Sequence, residues 1–235
     1  MPRDIPVGNG KLLICFDKHY NIRDLYFTHV GQENHVQGEY CRLGVWVDNQ
    51  FSWVGEDWKI DLGYELDTLV TRVSLYHQNL GVLLICRDMV DFHENIYVRE
   101  MVIENMVPQD RQIRLFLSQN LDISGNSVGD TAAFDPPTGG LVHYKGSRYF
   151  LIGGNTEETP DLDQFAVGQK NINGKEGTYI DAEDGLLSGN TIAQGSVDSV
   201  IGLHLDIKGM SRKKCFYWLV AGENWNDVRR LDGRV

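Results

Sequence analysis

The residues best suited to chemistry crowd into Ile22 to His35, IRDLYFTHVGQENH, where two histidines, two aromatics, an Arg-Asp pair and a Gln-Glu-Asn run share fourteen positions. His29, Glu33 and His35 offer two imidazoles and a carboxylate, a donor set that suits zinc. Their spacing fits no metal motif, and polar loop residues ordinarily satisfy one another and the backbone, so no metal site is assigned. Tyr26, Phe27, His29, Asn34 and His35 better suit contact with a neighbouring surface, because rings anchor interfaces or stack on sugars while amides and imidazoles bond hydroxyls or backbone. The competing reading has Tyr26 and Phe27 closing the end of a core, with Arg23-Asp24 pinning the loop.

Five tryptophans raise carbohydrate stacking as a second chemistry. Trp46 and Trp218 sit inside apolar runs and read as core. Trp53 and Trp58 flank the polar Gly55-Glu56-Asp57 segment and are the candidates for a surface platform. Asp181 to Gly185 has acidic oxygens that suit a hard cation, but it lacks the alternating ligands and closing Glu of a calcium loop and reads as solvated turn. Gly8-Asn9-Gly10 and Gly153-Gly154 match neither a phosphate loop nor a dinucleotide fingerprint, so no cofactor is implied.

These residues need strands to hold them. Lys11 to Asp17 reads as a strand entered through the Gly8-Asn9-Gly10 turn, and Ile22 to His35, with neither helical nor strand period, as a long polar loop. Leu43 to Asp48 and Phe51 to Val54 form a hairpin, alternation from Leu69 to Leu75 leads to the apolar run Val82 to Cys86, and Tyr97 to Glu104 and Gln112 to Gln119 follow. Asn120 to Gly140 reads as an irregular excursion. Leu141 to Tyr144 and Arg148 to Ile152 make a hairpin, and Gly153 to Asn190 is mostly loop. Val200 to Lys208 alternates cleanly and Cys215 to Ala221 ends the series. Asn224 with Asp227 caps a helix whose stripe, Trp225, Val228 and Leu231, is expected to have little to bury against. Many short strands with close turns predict an all-β antiparallel sandwich.

With 33 acidic against 22 basic residues and a net charge of -11, the chain lacks the basic stripe that a nucleic-acid partner requires. Cys15, Cys41, Cys86 and Cys215 are widely spaced within apolar runs and read as buried thiols, although four cysteines could also make two disulfides. No run of about 18 apolar residues, no signal-peptide core and no Asn-x-Ser/Thr sequon occurs, which gives a cytoplasmic expectation with no membrane partner.

The order of the GNG turn, LLICFD, IRDLYF, VGQENH, RLGVWVD and FSWV, then VDFHENIYVREMVIEN from Val90, HYKGSRYFLIGG from His143 and DAEDGLLSGNTIAQGSVDS from Asp181, resembles the amino-terminal β-sandwich domain of bacterial and archaeal family 15 glycoside hydrolases, the glucoamylase, glucodextranase and trehalase group. Thr28 departs from that resemblance, standing where the family's aromatic-Pro-His run has Pro. The resemblance implies a large two-sheet supersandwich similar to galactose mutarotase over residues 1–222, with 223–235 starting a linker helix toward a catalytic α/α barrel. That barrel is the implied partner and an α-glucan or glucoside the implied ligand. Inverting glycoside hydrolysis needs two carboxyls about 6.5 to 9.5 Å apart. The family carries them on the barrel, so this chain is expected to be a non-catalytic module with no catalytic residues of its own.

A stand-alone carbohydrate-binding protein or mutarotase-like epimerase is the alternative. It would need one of His77, His93, His143 or His204 in a cleft within reach of a carboxylate. An oligomerisation scaffold is a third reading.

Overall fold

Period-two burial organises the chain. Ile113, Leu115 and Leu117 stand opposite Leu205, Leu203 and Ile201, all at 2% exposure or less, so one face of this strand pair is core. The computed structural model describes residues 4–36, 38–171 and 177–235.

Among the described residues, seventeen strands precede one α-helix. They are β1 (Ile5–Gly8), β2 (Leu13–Phe16), β3 (Ile22–Tyr26), β4 (Leu43–Val47), β5 (Gln50–Trp53), β6 (Lys59–Tyr64), β7 (Thr71–His77), β8 (Val82–Val90), β9 (Ile96–Asn105), β10 (Arg111–Gln119), β11 (Asp130–Asp135), β12 (Gly140–Lys145), β13 (Arg148–Thr156), β14 (Gln164–Gln169), β15 (Ile192–Gly195), β16 (Val197–Ile207) and β17 (Arg212–Gly222), followed by α1 (Trp225–Asp232). A nine-stranded sheet runs β15-β11-β12-β13-β17-β9-β8-β7-β6, a five-stranded sheet β14-β16-β10-β4-β5, and a three-stranded sheet β1-β2-β3. Every pairing is antiparallel, from the central β9/β17 and β10/β16 ladders outward. The Ile22 to Cys41 bridge ties the small sheet to the segment entering β4. One continuous apolar core is shared by all three sheets, which makes the protein an all-β sandwich.

The structure corrects several expectations. The first five residues of the predicted loop, Ile22 to Tyr26, form β3, because the polar Asp24 is buried at 4% and finds a partner in the Asn34 side-chain amide at 2.7 Å. The predicted excursion 120–140 contains β11. The predicted loop 153–190 contains β14 and a 3-10 segment, Thr178–Asp184, while its residues 172–176 lie outside the described residues. Edge strand β6, with alternately exposed residues, was not legible either. All four cysteines are buried free thiols.

The helix is capped as its sequence predicts, Asn224 Oδ1 accepting from the Asp227 N–H at 3.0 Å. Its apolar stripe is not short of cover. Val228 and Leu231 are buried against Ile96, Val142, Leu151, Trp218 and Val220 on the outer face of the nine-stranded sheet, and the Trp218 indole donates to Asp232 at 2.8 Å.

Candidate functional site

The segment after β3 folds back as a strap held from three sides. Glu33 accepts both arms of the Arg148 guanidinium, at 2.7 and 2.9 Å, which fixes the strap to the start of β13. The Arg148 bonds, followed by that from His29, hold the Glu33 carboxyl down at about 2. His35 is wholly buried: its Nε2 donates to the Phe27 carbonyl and its Nδ1 accepts from the Ser124 N–H at 3.0 Å, which sets the Nε2–H tautomer. Burial lowers its pKa and keeps the ring neutral. Asn34 Oδ1 accepts from the Leu25 and Val36 N–H groups.

This geometry divides the five strap candidates. Tyr26 and Phe27 are 7% and 2% exposed, Phe27 packs edge-on against Phe150, Asn34 spends its polar atoms on Asp24, Leu25 and Val36, and His35 on Phe27 and Ser124. Tyr26 and Phe27 are turned inward, and His29 alone of the five stands largely in solvent, 3.1 Å from Glu33. His35, with both ring nitrogens engaged, has no lone pair for a metal shared with His29. Among the described residues no group of three or more His, Cys, Asp or Glu is disposed to hold a metal ion.

The tryptophan platform is corrected as well. Trp58 is 5% exposed, its indole donating to Ser52 Oγ at 3.0 Å and its ring packed edge-on to His77, so it offers no open face. Trp53 is half-buried among Phe51 and Tyr179, beneath the 3-10 segment that covers the outer face of the five-stranded sheet. Trp46 lies on that same outer face rather than in the central core, its ring under Arg114 and against Gly185. Gly185 sits at a φ of +85° where a Cβ would come within 2.7 Å of the indole, so both space and conformation require glycine there.

The tertiary fold instead assembles a cleft of about 450 Å3 at the end of the nine-stranded sheet. Phe27, Thr28 and His29 of the strap form one wall. The β8–β9 turn contributes His93, Glu94 and Asn95, and Gly222, Glu223, Asp227, Arg230 and Leu231 close it from the end of β17 and α1, with Lys11 at the rim. Asn9 Nδ2 donates to the carbonyls of Asp91 and Glu94, both at 2.9 Å, and ties the first hairpin to this turn. Arg230 reaches Glu94 at 3.3 Å and Arg234 joins the same carboxylate. Asn95 Oδ1 is buried without a hydrogen-bond partner among the described residues. Phe92 is 83% exposed, edge-on to the His93 ring with centroids 5.0 Å apart.

A larger concavity of about 570 Å3 holds Asp181, Glu183 and Asp184, but Asp181 and Asp184 are spent on the Ser188 and Leu186 N–H groups at 2.7 and 2.9 Å.

Elsewhere, His143 is buried with its Nε2 2.7 Å from Ser199 Oγ, which in turn donates to Gln119, and burial drives its pKa down to about 3. His77 accepts from the Leu80 N–H, and His204 bonds the Gln164 amide. His77 feels the charge of Asp57, and His204 the charges of Asp163 and Asp206, although burial lowers both imidazoles.

No family model matches the chain. In sequence it is 29% identical, over 203 residues, to an uncharacterized glycosyl hydrolase of Methanocaldococcus jannaschii, a match covering 86% of this chain and 31% of that protein. In structure it is similar to a bacterial glucoamylase complexed with acarbose, with a TM-score of 0.77 at 10% identity, covering 99% of this chain and 34% of that one. A polysaccharide lyase, BACCELL_00875, gives a TM-score of 0.56 at 8% identity over 96% of this chain and 34% of the other. The chain thus has a glycoside hydrolase-like sandwich fold and spans about a third of the length of each of these proteins. Among the described residues, no helix is long and apolar enough to cross a membrane.

Proposed function

We propose that this chain is the non-catalytic β-sandwich module of a family 15 glycoside hydrolase, packing on and supporting a catalytic α/α barrel. The parent reaction in this reading is inverting hydrolysis of α-glucosidic bonds. Residues 1–222 are the sandwich module and 223–235 the start of the connection toward the barrel. The observation that carries the reading is the alignment of almost the whole chain with about a third of a glucoamylase, together with a glycosyl hydrolase relative matched over a similar share. Tyr26, Phe27, Asn34 and His35 then serve to fix the strap, and His29 is what the strap presents outward. In this role the module needs no catalytic carboxyl pair.

The test is glucose release from maltose, isomaltose, a maltodextrin and trehalose by the purified chain. None is expected. Release above the buffer rate, abolished by no contaminant-removal step, would overturn the assignment as non-catalytic.

A further inference from the structure

Residues 122–130, DISGNSVGD, gather oxygen atoms around a single cation, and that cation is a side chain. Lys145 closes β12 and Asp130 opens β11, and the two strands run antiparallel with Thr131 against Tyr144, so both residues stand at the same end of the sheet. From there Lys145 Nζ donates to the Ile123 carbonyl at 3.0 Å, the Asn126 carbonyl at 3.0 Å and Asn126 Oδ1 at 2.7 Å. Asp130 Oδ1 lies 3.3 Å from the same nitrogen, on a side chain only 1% exposed. Oxygens of three residues thus surround one positive charge. The backbone turns sharply between the two converging carbonyls, Ser124 and Gly125 holding left-handed conformations at φ of +61° and +74°.

This donor set suits a hard metal ion. Calcium takes carboxylate, amide and backbone carbonyl oxygens, at about 2.3 to 2.6 Å, and every oxygen around Lys145 is of one of these kinds. The set carries a single negative charge, that of Asp130, because Lys170 takes the neighbouring Asp122 Oδ1 at 2.9 Å. Asp130 also shows what the ammonium leaves undone. Its two carboxylate oxygens are buried and neither has a hydrogen-bond partner among the described residues. An ammonium has three protons, and Lys145 spends them on the carbonyls and amide of the loop, so Asp130 receives charge compensation without a bond. A metal ion coordinates without protons and would bond that carboxylate directly. The loop held in this way gives the Ser124 N–H to His35 Nδ1 at 3.0 Å and the Asp122 N–H to the His35 carbonyl at 2.8 Å, so the cation position also steadies the strap.

We propose that residues 122–130 are a cation-binding loop whose resident cation is the Lys145 ammonium, and that a hard metal ion, calcium first, occupies this position when the lysine is removed. In the native protein the tethered ammonium supplies the charge, so the order of the loop does not depend on free metal. The inference goes beyond the role of the module and is independent of its partner and of the parent reaction.

The experiment compares melting temperatures of the full 235-residue chain and of Lys145→Met at matched ionic strength, in calcium chloride and in choline chloride, whose quaternary cation cannot coordinate. Wild type is expected to respond equally to both salts. Lys145→Met should melt lower than wild type in choline chloride and regain about 3 to 5 °C in calcium at ten times its dissociation constant. Exchange of the Ser124 N–H, quickened in the variant, should slow again with calcium. Adding Asp130→Asn to Lys145→Met removes the anionic oxygens and should weaken calcium binding by about tenfold or more. A variant that folds only with calcium present would support the proposal in its strongest form. Equal stabilisation of wild type and Lys145→Met by calcium, no response of Lys145→Met at tens of millimolar, or a double variant responding as strongly as the single one would each overturn it. Should Lys145→Met fold in neither salt, Lys145→Gln is judged by the same outcomes, and failure of both to fold with calcium would overturn the proposal as well.

Discussion

Asp88 and Arg99 stand directly opposite one another on β8 and β9, Arg99 Nε 2.8 Å from Asp88 Oδ1, with both side chains out of solvent in the sandwich core. The carboxylate is enclosed further: Tyr20, Tyr97 and Thr71 all donate hydroxyls to it. The guanidinium lies over the Tyr20 ring at 4.3 Å. Burial pushes both phenols well above their ordinary pKa, so they remain donors throughout the physiological range. The cluster joins the small sheet, through Tyr20, to the centre of the nine-stranded one.

Removing one member leaves a buried charge without its counterpart. Asp88→Leu or Arg99→Met should each cost about 3 to 5 kcal/mol, while the double variant should cost less than the sum of the two. Urea denaturation of the four proteins of this cycle reads the coupling, and strict additivity would mean that the pair contributes no mutual stabilisation.

Asp130 is the opposite case, a carboxyl burdened by its surroundings. Burial raises it from 3.8 to about 6, although Lys145 lies 3.3 Å away. The unfolded chain ionises this group from near pH 3.8 and the folded protein only near 6, so its contribution to stability falls as pH rises through that window. Asp130→Asn should therefore be more stable than wild type at pH 7 by about 1 to 3 kcal/mol, and the advantage should vanish below about pH 4. Melting temperatures of both proteins across pH 4 to 8 test this; a destabilised variant at neutral pH would contradict it.

The strap should show the reverse sign. The Glu33 carboxyl titrates in the folded protein at about 2 against 4.5 in the free chain, so the Arg148 clasp contributes in full above 4.5 and is lost as pH falls toward 2. Glu33→Gln is expected to cost about 1 kcal/mol at neutral pH. The cost should shrink on acidification, and hydrogen exchange of the Phe27 N–H, which bonds the Glu33 carbonyl, should quicken in the variant.

For the helix, Asn224→Ala removes the acceptor of the Asp227 N–H and should cost about 1 kcal/mol, and Leu231→Ala about 2 to 3 kcal/mol through the cavity it leaves on the sheet. Amide exchange in α1 should rise in both. If exchange and stability are unchanged, the helix does not depend on the sheet as described.

The alternation of Ile201, Leu203, Leu205 and Ile207, the Lys145-Gly146-Ser147 turn and the Asn224 cap were legible in the sequence because each depends on neighbours a few positions away. So was the fold class, which follows from repeating that pattern along the chain. The order of segments from Gly8 onward also pointed to the glycoside hydrolase-like sandwich fold that the glucoamylase likeness shows. β3, β11 and β14 were hidden, because their polar residues, such as Asp24 with Asn34, are stabilised by partners that folding supplies. Burial of Trp58 and His35 and the outer-face position of Trp46 depend on which strand face meets the other layer, and residue type alone does not encode that. The cleft depends on tertiary structure most of all. Lys11, His29, His93, Asn95 and Glu223 come from four separate stretches, and only the antiparallel order of the sheet, which returns β9 and β17 to the same end, brings them together.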